Sequence, residues 1–261
     1  MASPTAADAK SDDQRNDLSR GAPSKRTELK RGAIRADYQL ETVRAILKAG
    51  MLCHLGVSLG EHPAVIPTVY GVIGDQLYLH GSSANRIYRA LVDGAEACLT
   101  VTLIDGLVLS RSAFHHSMNY RSVVLYGRAR EVTDIAEKNA AFEAIIEQMV
   151  PGRYAETRAP NREEILRTLV LALPLTEASA KIRSGPPIEE EDDYALPHWG
   201  GEIPVRMVAE IPVEDPQNTA PLPAHVDARI VQFDAADVST RRNRDRDLGP
   251  HPEQPEPGEL R

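Results

Sequence analysis

Cysteine and large aromatic residues are scarce in this chain. Its 261 residues include two Cys, one Trp and three Phe, and aromatics make up 5%. Cys53 and Cys98 stand alone in apolar runs, which excludes a disulfide framework and a CxxC pair. Both read as buried thiols, because no neighbouring charge would favour a thiolate. No uninterrupted apolar run reaches the ~18 residues needed to span a bilayer. The N-terminal stretch lacks the apolar core of a secretory signal. Positive charge is also short: 30 Lys and Arg face 38 Asp and Glu, a net charge of −8. Phosphate-rich partners and anionic membranes would be repelled by it. The chain is therefore expected to be soluble and cytoplasmic, with neither a nucleic acid nor a membrane as partner.

Several motifs are missing. There is no G-x-x-x-x-G-K-[ST] loop, G-x-G-x-x-G, H-E-x-x-H or G-x-S-x-G. His115 and His116 are adjacent, so on a strand they would point to opposite faces, and no Cys, His or Asp cluster supports them as metal ligands. No metal site is expected. The acidic run Glu189–Asp193 reads as a solvated loop.

What is present is a region of about 200 residues, one domain in size, between two polar tails. Residues 1–35 and 234–261 are charged and poor in large apolar side chains, so both are expected to be disordered. Within 36–233, Leu40, Val43, Ile46 and Leu47 recur at helical spacing up to Gly50. Short strands follow at Leu52–Leu59, Ala64–Val72 and Leu77–His80. A helix capped by Ser82 or Ser83 is expected over Ile87–Val92. Further strands are expected at Ala97–Leu103, Gly106–Ser110, Ser122–Val132, Thr168–Ser179 and Ile203–Val213. Helices are expected from Thr133 or Asp134 to Met149 and over Arg162–Leu166. Many short strands with few helices point to a mainly β (α+β) barrel with peripheral helices.

Two segments carry chemistry. In Leu77-Tyr78-Leu79-His80-Gly81-Ser82-Ser83-Ala84-Asn85-Arg86, a strand runs through small polar residues into a helix start and a cation, an arrangement suited to a phosphate. In Phe114-His115-His116-Ser117-Met118-Asn119-Tyr120-Arg121-Ser122, a polar, aromatic loop feeds an apolar strand, where function tends to sit.

Together with Cys53-His54-Leu55-Gly56, Val65-Ile66-Pro67-Thr68-Val69-Tyr70 and Gly127-Arg128-Ala129, these segments resemble the FMN-binding split barrels related to pyridoxamine 5′-phosphate oxidase, on the nitroimidazole-reductase-like side. The resemblance spans about Tyr38 to Val213. It implies a six-stranded antiparallel split β-barrel, a homodimer, and FMN at the dimer interface. By the same resemblance Pro67, Thr68, Val69 and Tyr70 lie along the isoalloxazine. Leu79, His80 and Ser82 approach the phosphate end, where Arg86 is the basic ligand. Arg121 and Ser122 meet the flavin from the other side. His115, His116 and Trp199 would line a substrate pocket, with Trp199 as a core plug or a lid over the flavin.

Two departures bear on substrate. Asn85 stands where the oxidase has a second basic residue, and the oxidase's arginine-rich C-terminal motif is missing after Trp199. Pyridoxamine phosphate is therefore not the expected substrate. The implied activity is FMN-dependent oxidoreduction, passing hydride from a nicotinamide donor to a small electron-poor acceptor, with no catalytic side chain identified. The alternatives are the same barrel carrying deazaflavin or haem, the latter through His115 or His116, and a non-catalytic flavin-binding protein.

Overall fold

Period-two alternation along the strands closes the chain around one apolar interior. The computed structural model describes residues 21–230. Its elements are β1 (Ala36–Asp37), α1 (Leu40–Ala49), β2 (Leu52–Leu59), β3 (His62–Val69), β4 (Gly71–Ile73), β5 (Gln76–Ser82), α2 (Arg86–Val92), β6 (Glu96–Leu109), β7 (Ser117–Arg128), β8 (Arg130–Glu131), α3 (Ile135–Met149), α4 (Arg162–Arg167), β9 (Thr168–Pro174), β10 (Ala178–Arg183) and β11 (Gly201–Pro204). One sheet runs β1-β10-β7-β6-β2-β3, with β11 added to the far end of β6, and the second runs β4-β5-β9-β8. Pairing is antiparallel throughout. The result is the split barrel with peripheral helices that the sequence predicts.

Leu55 and Val57 of β2, Leu99 and Val101 of β6, and Val123 and Leu125 of β7 meet Leu77, Leu79, Leu171 and Leu173 from the second sheet. Burying each such side chain contributes about 1.5–3 kcal/mol. β9 is buried on both faces: Val170 and Ala172 turn outward to meet Tyr78, Val132 and Ala141 under α3.

Several boundaries differ from expectation, each for a physical reason. Asn85, not Ser82 or Ser83, caps α2, its Oδ1 accepting from the Ile87 N–H at 2.9 Å. The two strands expected between Ala97 and Ser110 are one, because a bulge at Asp105 lets β6 continue past an irregular register. The last strand ends at Pro204, and the apolar residues after it, including Ile211 and Val213, stay exposed and unpaired in the sheet. Cys98 lies on the exposed outer face of β6, whereas Cys53 is buried, and burial pushes its thiol pKa up to about 12.

Residues 21–35, expected to belong to a tail, pack on the barrel as an arm. Arg26 pairs with Glu96 and Glu177, and its guanidinium lies 5.2 Å from the Tyr126 ring centroid. Exposed ion pairs contribute ~0.2–1 kcal/mol, and cation–π contacts about as much. Arg26→Ala is thus expected to leave the melting temperature nearly unchanged while deprotecting residues 22–30 in hydrogen exchange. Residues 1–20 and 231–261 lie outside the described part.

Candidate functional site

Tyr88 ties two of the predicted segments together. It is 2% exposed, and its hydroxyl lies 3.3 Å from Thr68 Oγ1 on β3. A Cβ at Gly81 would sit 3.2–3.4 Å from carbons of its ring, so Gly81 lets β5 approach. Tyr88 therefore brings β3, the end of β5 and the start of α2 together at one corner, with Thr68 on the side facing Tyr88 and Ser82 and Arg86 on the exposed side. Ser82 Oγ accepts from the Ala84 N–H at 3.2 Å, leaving its hydroxyl proton available. Arg89 Nε donates to the Ser83 carbonyl at 2.6 Å and fixes the turn. Arg86 is exposed, and among the described residues no hydrogen bond or ion pair engages its side chain. The corner offers hydroxyls, a turn and a free cation, the donor set an oxygen-rich anion requires. Pro67 and Val69 lie beside Thr68 on the same strand, with Pro67 exposed.

Other predicted residues are placed elsewhere. Tyr70 is fully buried and donates to the Leu47 carbonyl at 2.6 Å, so its side chain serves the core. Leu79 is likewise in the core. His80 faces the opposite side of β5 from Tyr88, edge-on to Phe142 with ring centroids 6.0 Å apart. Its Nδ1 is shielded and lacks a hydrogen-bond partner among the described residues. Burial lowers its pKa, so the ring is neutral. Arg121 makes a bidentate pair with Asp105, Nε to Oδ2 at 2.9 Å and Nη2 to Oδ1 at 2.8 Å, instead of standing free. Ser122 donates to the Lys181 carbonyl at 3.3 Å. Arg121 and Ser122 lie on β7, three strands from β3 in the sheet order.

The outer face of that sheet is unusual for a water-facing one. Register places Pro67, His54, Thr100, Val124 and Ser179 in one row, and Val65, Gly56, Cys98 and Tyr126 in the next. None is a Lys, Arg, Asp or Glu, although exposed sheet faces normally alternate to polar and charged residues.

A second cluster forms at the β6–β7 hairpin tip. Phe114 is 88% exposed, its ring 5.1 Å from that of His115. His116 Nδ1 lies 3.0 Å from the Ser112 carbonyl. A carbonyl there accepts a proton from Nδ1, which leaves Nε2 as the basic nitrogen. Trp199 is 66% exposed, so it is not a core plug. It folds against Gly201, where a Cβ would stand 2.7 Å from its ring, and a Cβ at Gly200 would meet the Arg111 guanidinium at 2.7 Å.

Glu189, expected to be solvated, is the anchor of this region. Its side chain is buried and accepts from Ser110 Oγ, the Arg111 N–H and the Arg111 guanidinium, the last at 2.8 Å. Burial opposes ionisation of Glu189, but these donors outweigh it and hold the pKa down to about 2. The carboxyl's contribution to stability is complete above its ordinary value of 4.5 and is lost as pH falls towards about 2. Emission from the sole Trp, ten residues on, is expected to report release of this segment across that window, and Glu189→Gln to flatten the transition. An acid transition of equal size in the variant would show that Glu189 does not hold the segment.

Sequence reasoning missed Tyr88, Arg111 and Glu189. Tyr88 carried the helical spacing of a core residue, and Glu189 was hidden by its acidic neighbours.

The pyridoxamine 5′-phosphate oxidase family model matches residues 39–182. Among solved structures, the flavocytochrome Anf3 from Azotobacter vinelandii is 42% identical, covering 79% of this chain and 97% of its own, with a TM-score of 0.76. An FAD- and haem-binding protein from Mycobacterium smegmatis is 33% identical, covering 75% of this chain and 97% of its own, with a TM-score of 0.72. No curated protein matches.

Proposed function

Since the chain belongs to the pyridoxamine 5′-phosphate oxidase family, whose members here form flavin-binding split barrels, we propose that it is a redox protein holding a flavin at the Thr68–Arg86 corner and a haem at the β6–β7 hairpin. The observation that carries the haem half is His116. Its Nδ1 is turned to the Ser112 carbonyl at 3.0 Å, the orientation that would leave Nε2 to hold a haem iron. Exposed Phe114, Met118 and Trp199 supply apolar cover of the kind a porphyrin face requires. The two relatives described above support the pairing, since one is a flavocytochrome and the other binds FAD and haem.

At the flavin corner, Arg86 and the Ser82 hydroxyl would hold the phosphate end, and the Pro67–Val69 backbone would border the ring. The expectation of FMN widens to a flavin, and we favour FAD. Arg86 and Arg89 flank the Ser82–Ser83 turn, Arg89 through the Nε that donates to the Ser83 carbonyl at 2.6 Å, and a pyrophosphate would use more than one cation. A flavin supplies hydride acceptance and one-electron delivery. No side chain at the corner is placed as a general base, so this chain's contribution is to bind, orient and shield. The two uncharged rows of the outer sheet face, bordered by Glu96 and Arg128 on one side and Lys181 on the other, are where a second copy would pack, which would bring a partner's β7 towards the flavin corner.

The test is an absorbance spectrum of the purified protein, followed by acid release of the chromophores and anaerobic addition of a reduced nicotinamide. A Soret band together with released FAD, both reduced by the donor, is the expected result. His116→Ala should remove the Soret band and leave the flavin; its retention would exclude His116 as ligand. Protein that takes up neither added flavin nor haem would overturn the proposal. Tight flavin binding without any reduction would favour the non-catalytic reading.

A further inference from the structure

Cationic side chains gather at a corner of the barrel that the proposed sites do not use. Arg183, at the end of β10, is 6% exposed. Its guanidinium donates only to neutral acceptors: Asn119 Oδ1, the Gly185 carbonyl at 2.9 Å and the Pro186 carbonyl at 2.9 Å. Its Nε–H is shielded from solvent and has no acceptor among the described residues. Lys181 lies two residues back on the same strand, and its Nζ donates to the Arg31 carbonyl at 3.2 Å. Arg35 sits across the Gly32 turn. A side chain at Gly32 would begin 3.8 Å from both Arg35 Cδ and Lys181 Cε. No acceptor among the described residues takes the Arg35 guanidinium. Burial and the Arg35 charge both lower the Arg183 pKa, while Glu202 and Tyr120 raise it. The other nearby carboxylate, Asp37, accepts from the Gln39 N–H at 2.8 Å and from Thr42 Oγ1 at 2.6 Å.

Three positive groups thus share a corner, one of them desolvated and hydrogen-bonded only to neutral acceptors, with Glu202 acting on it through charge and not through a hydrogen bond. Holding a buried cation with no carboxylate hydrogen-bonded to it is costly. We infer that Arg35, Lys181 and Arg183 form an oxyanion site that takes the carboxylate or phosphate of a bound redox cofactor. Arg35 and Lys181 reach the ligand from the rim, and Arg183 supplies fixed charge behind them. The inference rests on the cofactor reading above for the identity of the ligand, but not for the existence of the site.

Two haem carboxylates and a flavin phosphate share this chemistry, and blocked analogues separate them. Full-length protein would be titrated with haem and haem dimethyl ester, and with FMN and riboflavin. The Arg35→Met/Lys181→Met variant would be treated likewise, since both side chains lie at the surface. If carboxylates occupy the site, haem binds wild type about tenfold more tightly than its ester, and the variant loses that preference while keeping its preference for FMN over riboflavin. If a phosphate occupies it, the FMN preference collapses instead, which would also move the flavin phosphate away from the Ser82–Arg86 turn. Inorganic phosphate alone is expected to raise the melting temperature of wild type and not of the variant. Wild type that binds neither haem nor its ester would overturn the haem reading and leave the phosphate arms to decide. Equal preferences and equal phosphate shifts in wild type and variant would overturn the site itself.

Discussion

Arg86→Ala is expected to weaken flavin binding by about ten- to a hundredfold, the loss of one charge-assisted contact to a phosphate. Arg86 is exposed and unengaged among the described residues, so removing it should leave the fold intact. Titrating apoprotein with flavin, followed by flavin emission, gives the dissociation constant. Riboflavin supplies the control: its affinity should not change, because it carries no phosphate. An equal loss for riboflavin would mean that Arg86 acts on the ring or on the fold. An unchanged constant for both would remove the Ser82–Arg86 turn from the flavin site. Arg89→Ala tests the support beneath: its Nε holds the Ser83 carbonyl at 2.6 Å, so its loss should weaken binding less, by loosening the turn.

Gly71→Ala is expected to have the largest effect on stability. A Cβ there would lie 2.6 Å from the carbonyl carbon of Ala144 and from the Ile145 nitrogen, both backbone atoms of α3. Backbone cannot rotate away as a side chain can, so α3 must shift. Overpacking of this kind costs typically 1–3 kcal/mol, which for a domain of this size lowers the melting temperature by about 2–4 °C per kcal/mol. Gly127→Ala is the matched control, because nothing lies within 4 Å of its added carbon. It should be neutral or slightly stabilising. Equal melting temperatures for the two variants would contradict the close approach of β4 to α3.

Legibility in the sequence followed the range of the interactions. β9 could be read because Thr168–Pro174 is apolar on both faces, both of them buried, but the single strand expected over Thr168–Ser179 is broken by the turn Leu175–Glu177, after which β10 begins. α3 could be read because Asp134 caps it locally, its Oδ1 accepting from the Glu137 N–H at 2.8 Å. The opening helix and the barrel strands obeyed their periods. What escaped depended on distant partners. Thr68 and Tyr88 are twenty residues apart, and their meeting follows from closure of the barrel. Arg121 looked free in one dimension. It is captured by Asp105, which the β6 bulge turns towards it. Glu189 sat in an acidic run whose composition says solvent, yet Ser110 and Arg111, on the far side of a hairpin, desolvate it. Residues 21–35 have the composition of a tail and are held by Arg26, whose partners Glu96 and Glu177 are far along the chain.

The β3 edge has a bearing on how copies of this protein can associate. β3 pairs with β2 on one side and ends the sheet on the other. Pro63, Val65 and Pro67 share one phase of the strand, and proline has no N–H and is confined to the unpaired side of an edge. Along that margin, Val65 is the only donor between residues 63 and 67. An incoming strand would find alternate rungs missing, so zipper-like growth from sheet to sheet is blocked despite the exposed apolar side chains nearby. Association of two copies through this edge is thereby disfavoured, and the proposed pairing would have to use a sheet face instead.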